Sequence, residues 1–283
     1  MAPIIKLSSP ETKGYWEIPV VFEDDTLLAI DKPARLLVSP DRYDIMRPNI
    51  MRMFHRDIAR GAKWTQERGI TYLANAHRLD FETTGALLLA KTKPALISLA
   101  NQFGSEQTQK VYLAIVSGSP AADTFDDNAR LGPHPTHLGR VRVDEKNGKR
   151  SYTAFEVSER FQGFALLRCK PRTGRQHQIR LHLQHRHLPI VADSIYGGAP
   201  LMLSSLKSGY RLKRGKTERP LIDRVALHAH ELTVTHPQTG EKVKIEAPVP
   251  HDLEVALKYL RRHAASPRSE ASQGGAELLE GDV

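Results

Sequence analysis

Two pairs of apolar runs, each run of strand length and each pair closed by a short polar turn, constrain this chain most. The first is VVFEDDTLLAIDKP, residues 20–33, where apolar stretches flank Asp24 and Asp25. The second joins RVALHAHELTVTH to EKVKIEAP through the turn PQTG, residues 237–240. Runs of this length around turn residues are the signature of β-hairpins. Two more strands are expected at SYTAFEV and FALLRCK, separated by a turn around Gln162 and Gly163. In KVYLAIV, residues 110–116, Val111, Leu113 and Ile115 alternate toward one side, which sends Tyr112 to the other.

Helical spacing is scarcer. KPALISLANQFG carries Leu96, Leu99 and Phe103 along one face, with a proline near its start and Gly104 expected just past its end. DLEVALKYLRRH, residues 252–263, is amphipathic and places its bases in the last turn, as the helix dipole favours. Met51, Phe54 and Ile58 predict one amphipathic helix within residues 41–69. No internal repeat or second domain is visible. The expected organisation is a polar lead-in over 1–17, one domain over 18–263, and a disordered tail rich in Ser, Gly, Ala and Glu over 264–283.

The 283 residues carry a formal charge of +9. The acidic tail from Ser266 contributes −3, leaving +12 on the remainder, a balance that points to a polyanionic partner. The lone cysteine, Cys169, excludes an internal disulfide and reads as strand packing. No apolar run approaches the ~20 residues that span a bilayer, and the N-terminus lacks a signal-peptide core. A cytoplasmic protein with no membrane partner is expected.

Reactive groups concentrate in three places: Arg78-Leu79-Asp80, the strand around Tyr112, and PRTGRQHQIRLHL, residues 171–183. Asp80 precedes a Thr-Thr-Gly turn and an apolar strand, so it can be held rigidly at the edge of the core. An acid that stays ionised there needs a cation, and the third segment offers Arg172, Arg175 and Arg180. By residues alone Asp80 fits equally a turn-capping acid paired with Arg78 or the backbone of Thr83 and Thr84. His177, His182, His185 and His187 invite a metal reading, but no thiolate or carboxylate stands among them before Asp193, and arginines crowd the stretch. No metal is expected. Gly-rich phosphate loops and the G-x-S-x-G nucleophile elbow are both missing.

In this set of motifs the chain resembles the RluA-type RNA pseudouridine synthases. HRLDFETTGALLLAK is similar to the family's catalytic stretch, VVFEDDTLLAIDKP to its first motif and QKVYLAIVSG to its tyrosine motif. KPRTGRQHQIRLHL with PIVADSIYGG resembles the third, and RVALHAHELTVTHPQTGEKVKIEAPVP the C-terminal signature. The resemblance, over about residues 20–262, implies an α+β catalytic domain with a mixed, largely antiparallel sheet flanked by helices and loops. It implies an isomerase, without cofactor, that converts uridine in ribosomal or transfer RNA to pseudouridine by flipping the base out. Asp80 matches the catalytic aspartate, Tyr112 the active-site tyrosine, and Arg180 the arginine that pairs with that aspartate. Arg78 matches an arginine that fills the space of the flipped nucleotide, and His77, Arg175, His177 and Ile179 join it as candidate substrate contacts. Whether Asp80 attacks the sugar or takes a sugar proton stays open at this point. So does the alternative of a non-catalytic RNA-binding protein on the same fold.

Many relatives add a small N-terminal RNA-binding domain for which this chain has no room, so RNA affinity is expected from the catalytic domain, acting as a monomer. The basic segment KSGYRLKRGKTER, residues 207–219, is either an RNA contact or a solvated insertion. Two positions depart from the family pattern: Arg35 stands where Lys-Pro-x-Gly is usual, and ADSIYG replaces Gly-Asp-Pro-x-Tyr-Gly. Both are expected to alter loop geometry rather than the reaction.

Overall fold

The computed structural model describes residues 3–41, 44–212 and 215–266. In chain order the strands and helices are β1 (Ile4–Ser9), β2 (Gly14–Glu23), β3 (Leu27–Lys32), α1 (Ile50–Ala59), α2 (Lys63–Glu67), β4 (Ala74–Asn75), β5 (Thr84–Ala90) and α3 (Lys93–Gly104). There follow β6 (Gln109–Ser117), β7 (Thr124–Asp127), β8 (Leu131–Pro133), β9 (Val141–Val143), β10 (Thr153–Phe161), β11 (Phe164–Pro171) and α4 (Gln178–His185). The last are α5 (Leu203–Leu206), β12 (Leu227–Thr235), β13 (Lys242–Glu246) and α6 (His251–His263).

One long sheet runs in the order β1-β2-β3-β5-β12-β6-β11-β10-β7, with β13 alongside β12 and β4 alongside β5. Every pairing in it is antiparallel except β5 with β12. The fold is thus α+β, with the mixed, largely antiparallel sheet that was expected. Both terminal hairpins form, β2–β3 and β12–β13. β8 and β9 make a separate two-stranded flap.

All seven residues of β5, TGALLLA, are buried. A run that is apolar without alternation fits a strand covered on both faces. Below it Leu87 and Leu89 join a core with Ile5, Ile18 and Phe54; on the other face Leu88 packs with Leu99 of α3 and Val234 of β12. Fully burying each such leucine contributes ~1.5–3 kcal/mol. The same two-sided cover explains β6, where Ala114 and Val116 are as buried as Leu113 and Ile115.

Local chemistry sets the helix starts. Asn49 caps α1, its Oδ1 accepting from Arg52 N–H at 2.9 Å, and Thr92 caps α3, accepting from Ala95 N–H at 3.3 Å. The region expected to hold one helix holds two, because the chain turns at Gly61 with φ +61° before Trp64 packs back on Phe54. α3 runs through Gly104, one residue beyond the expected end.

The expected polar lead-in is a strand instead. Ile5, Leu7 and Ser9 of β1 alternate inward, and the short run pairs with β2 along its length. Of the expected tail, Ala264 is buried and its carbonyl accepts from Gln162 N–H; residues 267–283 lie outside the described residues. Among the described residues, no helix is long and apolar enough to cross a membrane.

Candidate active site

The parallel junction of β5 and β12 creates the site. Ala229 of β12 pairs with Gly85 on one side and with Tyr112 of β6 on the other, so the Asp80 loop and Tyr112 converge over β12. Gly85 is required there: its φ is +115°, and a Cβ would stand 2.2 Å from the Ala229 carbonyl oxygen. The Thr-Thr-Gly segment is thus the point where the chain passes tightly against its parallel neighbour, and Asp80 lies four residues before Thr84.

The turn that carries Asp80 is tied down from below. Thr83 N–H donates to the Asp80 carbonyl at 3.2 Å, and Arg35 N–H donates to the Phe81 carbonyl at 2.7 Å. Lys32, fully buried, gives its ammonium to the carbonyls of Pro33 (2.7 Å), Leu36 (2.8 Å) and Phe81 (3.4 Å). Burial lowers its pKa to about 7, opposed first by the nearby charge of Asp80. Arg47 sits over the Phe81 ring at 4.6 Å.

Above the turn opens a cavity of about 590 Å³, within the usual size of a small-molecule site. Arg78, Lys110, Arg140, Lys149, Arg175 and Arg180 line it, and Asp80 is the one acid among its lining residues. Arg78, Arg140, Lys149 and Arg175 are exposed at the mouth, whereas Arg180 is buried. Lys110 donates to the Arg172 carbonyl at 3.0 Å, and burial lowers its pKa to about 8.

Of the expected residues, Asp80, Tyr112, Arg180, Arg78, Arg175, His177 and Ile179 all border this cavity. The carboxylate of Asp80, 21% exposed, has Arg180 Nη1 at 3.8 Å from Oδ2 and His177 Nε2 at 4.0 Å from Oδ1. Among the described residues its oxygens make no bond to Arg78 or to the Thr83 and Thr84 backbone, so the turn-capping reading does not describe it. Tyr112 packs against both central cores while its side chain reaches the cavity. Its hydroxyl is held protonated first by burial and then by the charge of Asp80. Ile179, 6% exposed, is a wall residue shared with the core.

His77 is a correction. Its ring points away from the cavity, stacks on Phe103 with centroids 4.8 Å apart, and accepts from Leu88 N–H through Nε2 at 3.0 Å. Burial lowers its pKa to about 3, so it serves as a neutral acceptor closing the β5 backbone. The basic segment 207–219 is also not among the residues that line the cavity; Lys213 and Arg214 lie outside the described residues.

The principal partner of Arg180 is another acid. Asp193, fully buried, takes Nε at 2.6 Å and Nη2 at 2.7 Å in a bidentate pair, leaving Nη1 for Asp80. Tyr196 lies beside it, its hydroxyl 2.9 Å from His177 Nδ1 and its ring 5.0 Å from the Arg180 guanidinium. Burial lowers the pKa of His177, with Asp80 opposing. Neither Asp193 nor Tyr196 was among the expected site residues, although both stand in PIVADSIYGG. At the two departures in sequence, Arg35 at φ +58° and Ala192 at φ +61° adopt the left-handed conformation that glycine takes most readily.

The chain matches the model of a family described as RNA pseudouridylate synthase over residues 26–185. It is 34% identical to ribosomal large subunit pseudouridine synthase D of Xanthomonas campestris, covering 87% of this chain and 70% of that protein. The protein of the same name from Pseudomonas aeruginosa is 34% identical, with 92% and 79% covered, and that from Nitrosomonas europaea 36%, with 86% and 65% covered. The chain therefore spans about two thirds to four fifths of the length of these relatives. In fold it is similar to human RNA pseudouridylate synthase domain containing 4, with a TM-score of 0.62 at 22% identity, covering 88% of this chain and 94% of that one. Human RNA pseudouridylate synthase domain containing 1 aligns with a TM-score of 0.60 at 23% identity, covering 84% and 87%.

Proposed function

The chain belongs to the RNA pseudouridylate synthase family, and from that premise we propose that it isomerises uridine in ribosomal RNA, with Asp80 carrying the chemistry. The observation that carries this reading is that Asp80 is the one carboxylate among the described residues lining the cavity, where it stands with six bases. Substrate and product are isomers, so the reaction balances within one nucleotide. The bond from the sugar to N1 breaks, the uracil rotates, a bond from the sugar to C5 forms, the C5 proton leaves to solvent, and N1 takes up a proton in its place.

A uridine stacked in RNA cannot reach a recessed carboxylate, so the nucleotide must be flipped out at a cost of a few kcal/mol. The exposed bases at the mouth supply phosphate contacts that offset this cost. Arg78 at the rim fits the space that the flipped nucleotide leaves. Arg175, His177 and Ile179 fit the walls around the base. Asp80 initiates cleavage at the sugar, with the Arg180 guanidinium 3.8 Å from its carboxylate. Tyr112 stacks on the uracil and, protonated at rest, stands near the carbon that loses its proton.

The catalytic unit in this reading extends over 18–263 with β1 on its edge, and it acts as a monomer in the cytoplasm. Ribosomal RNA is preferred to transfer RNA because the relatives named above carry a ribosomal large subunit activity in their names. The test uses large-subunit ribosomal and transfer RNA transcripts bearing uridine tritiated at C5. Tritium released from ribosomal fragments is the expected result. Release from transfer RNA alone would move the target, and tight binding with no release from any RNA would favour a binding protein on this fold.

A further inference from the structure

Asp193 and Tyr196 stand three residues apart in one tight turn, closed by Tyr196 N–H and Gly198 N–H donating to the Asp193 carbonyl at 3.1 and 2.8 Å. The turn is rigid. Ala192 enters it at φ +61°, and Gly198 leaves it so close to the backbone that a Cβ would lie 1.7 Å from the Ile190 carbonyl oxygen. Neither Asp193 nor Tyr196 lines the cavity, yet each holds one of the two donors that face Asp80. Asp193 occupies two nitrogens of Arg180 and leaves the third toward Oδ2 of Asp80. Tyr196 occupies Nδ1 of His177 and leaves Nε2 toward Oδ1.

We propose that this turn is the positioning element of the site: Asp193 fixes the guanidinium plane of Arg180, and Tyr196 fixes both the orientation and the tautomer of His177. The Tyr196 hydroxyl donates to Nδ1, so the ring proton sits on Nε2 and points at the Asp80 carboxylate. The opposite arrangement would set the Nε2 lone pair against a carboxylate oxygen, an acceptor facing an acceptor. The Val141 carbonyl, at 3.2 Å, is the competing acceptor for the hydroxyl and stands farther away. Val141 N–H donates to the same oxygen at 3.2 Å, so the β9 flap is held by the residue that orients His177. Orienting groups of this kind control reacting groups they adjoin without touching substrate.

The proposal rests on reading the cavity as the isomerase site, but its first test needs no turnover. In protein labelled with ¹⁵N-histidine, long-range proton–nitrogen correlation reports the tautomer of His177, assigned by its loss in His177→Gln. The expected signal is a protonated Nε2 in the wild type, with a shift toward the Nδ1 tautomer in Tyr196→Phe. A wild-type ring protonated on Nδ1, or a Tyr196→Phe spectrum like the wild type, would overturn it.

The second test is a double-variant cycle on the single-turnover rate at saturating RNA. Tyr196→Phe is expected to slow the wild type about tenfold and to have no further effect in His177→Gln. Multiplying effects would overturn the assignment. Tyr196→Phe keeps the ring that packs on Arg180, so a slower rate in it does not come from loss of that packing. If no RNA is turned over, the functional reading fails while the tautomer measurement still judges the positioning.

Discussion

Replacing Arg180 by methionine tests the electrostatic construction of the site through stability alone. Arg180 is 5% exposed at its side chain and Asp193 0%, and their two bonds are 2.6 and 2.7 Å. Once the guanidinium is gone, the donor left to the Asp193 carboxylate among the described residues is Tyr196 N–H at 3.3 Å. Leaving one member of a buried ion pair uncompensated costs about 3–5 kcal/mol. With a urea dependence of about 3 kcal/mol per molar, the unfolding midpoint should fall by more than about 1 M. Adding Asp193→Asn removes the orphaned charge at nearly constant volume and should recover about 2 kcal/mol of that loss. Urea unfolding followed by circular dichroism at pH 7 measures both. Arg180→Met within about 1 kcal/mol of the wild type, or a double variant no more stable than the single, would refute the reasoning. Both variants should lose turnover, because Asp80 loses its cation.

Three further outcomes are expected. The unfolded chain protonates His77 near pH 6.5 but the folded chain only near 3. Acidification through that window therefore costs the fold up to about 1.4 kcal/mol per pH unit from this group. His77→Gln should flatten that part of the stability profile, and an unchanged slope would contradict the burial of the ring. Gly85→Ala should cost about 3 kcal/mol or more, because its Cβ meets the Ala229 carbonyl. Gly69→Ala, at φ +60° with open space around it, should cost only ~1 kcal/mol, both variants being measured by urea unfolding. Replacing Arg140, Lys149 and Arg175 together by alanine should reduce the slope of log affinity against log salt by roughly 2–3. An unchanged slope would remove the mouth of the cavity from the RNA interface.

The hairpins were legible in the sequence because their information is local: a period of two and a turn. The setting of Asp80, behind a Thr-Thr-Gly turn and before an apolar strand, was legible for a related reason, but by residues alone it fitted a turn-capping acid equally, and only the family resemblance singled it out. What the sequence did not disclose depends on long-range pairing. Nothing in the spacing of Arg180 selects Asp193 over Asp80 as its bidentate partner, because both are distant acids and only the tertiary fold brings them to the same guanidinium. His77 was misplaced because adjacency to Arg78 and Asp80 says nothing about which side of the chain a ring takes. There the Leu88 N–H and the Phe103 ring decided it. Tyr196 carried a faint signal, standing three residues after an acid in a motif already singled out. Its hydroxyl acts on a histidine 19 residues away, beyond the reach of periodicity.

The central claim is that Asp80 performs the chemistry while the surrounding bases bind. The direct measurement is single-turnover tritium release from a C5-tritiated substrate RNA by the wild type and by Asp80→Ala, with RNA affinity determined in parallel. Release abolished in Asp80→Ala, at an affinity within a few-fold of the wild type, is the predicted result. Release at the wild-type rate would contradict the account.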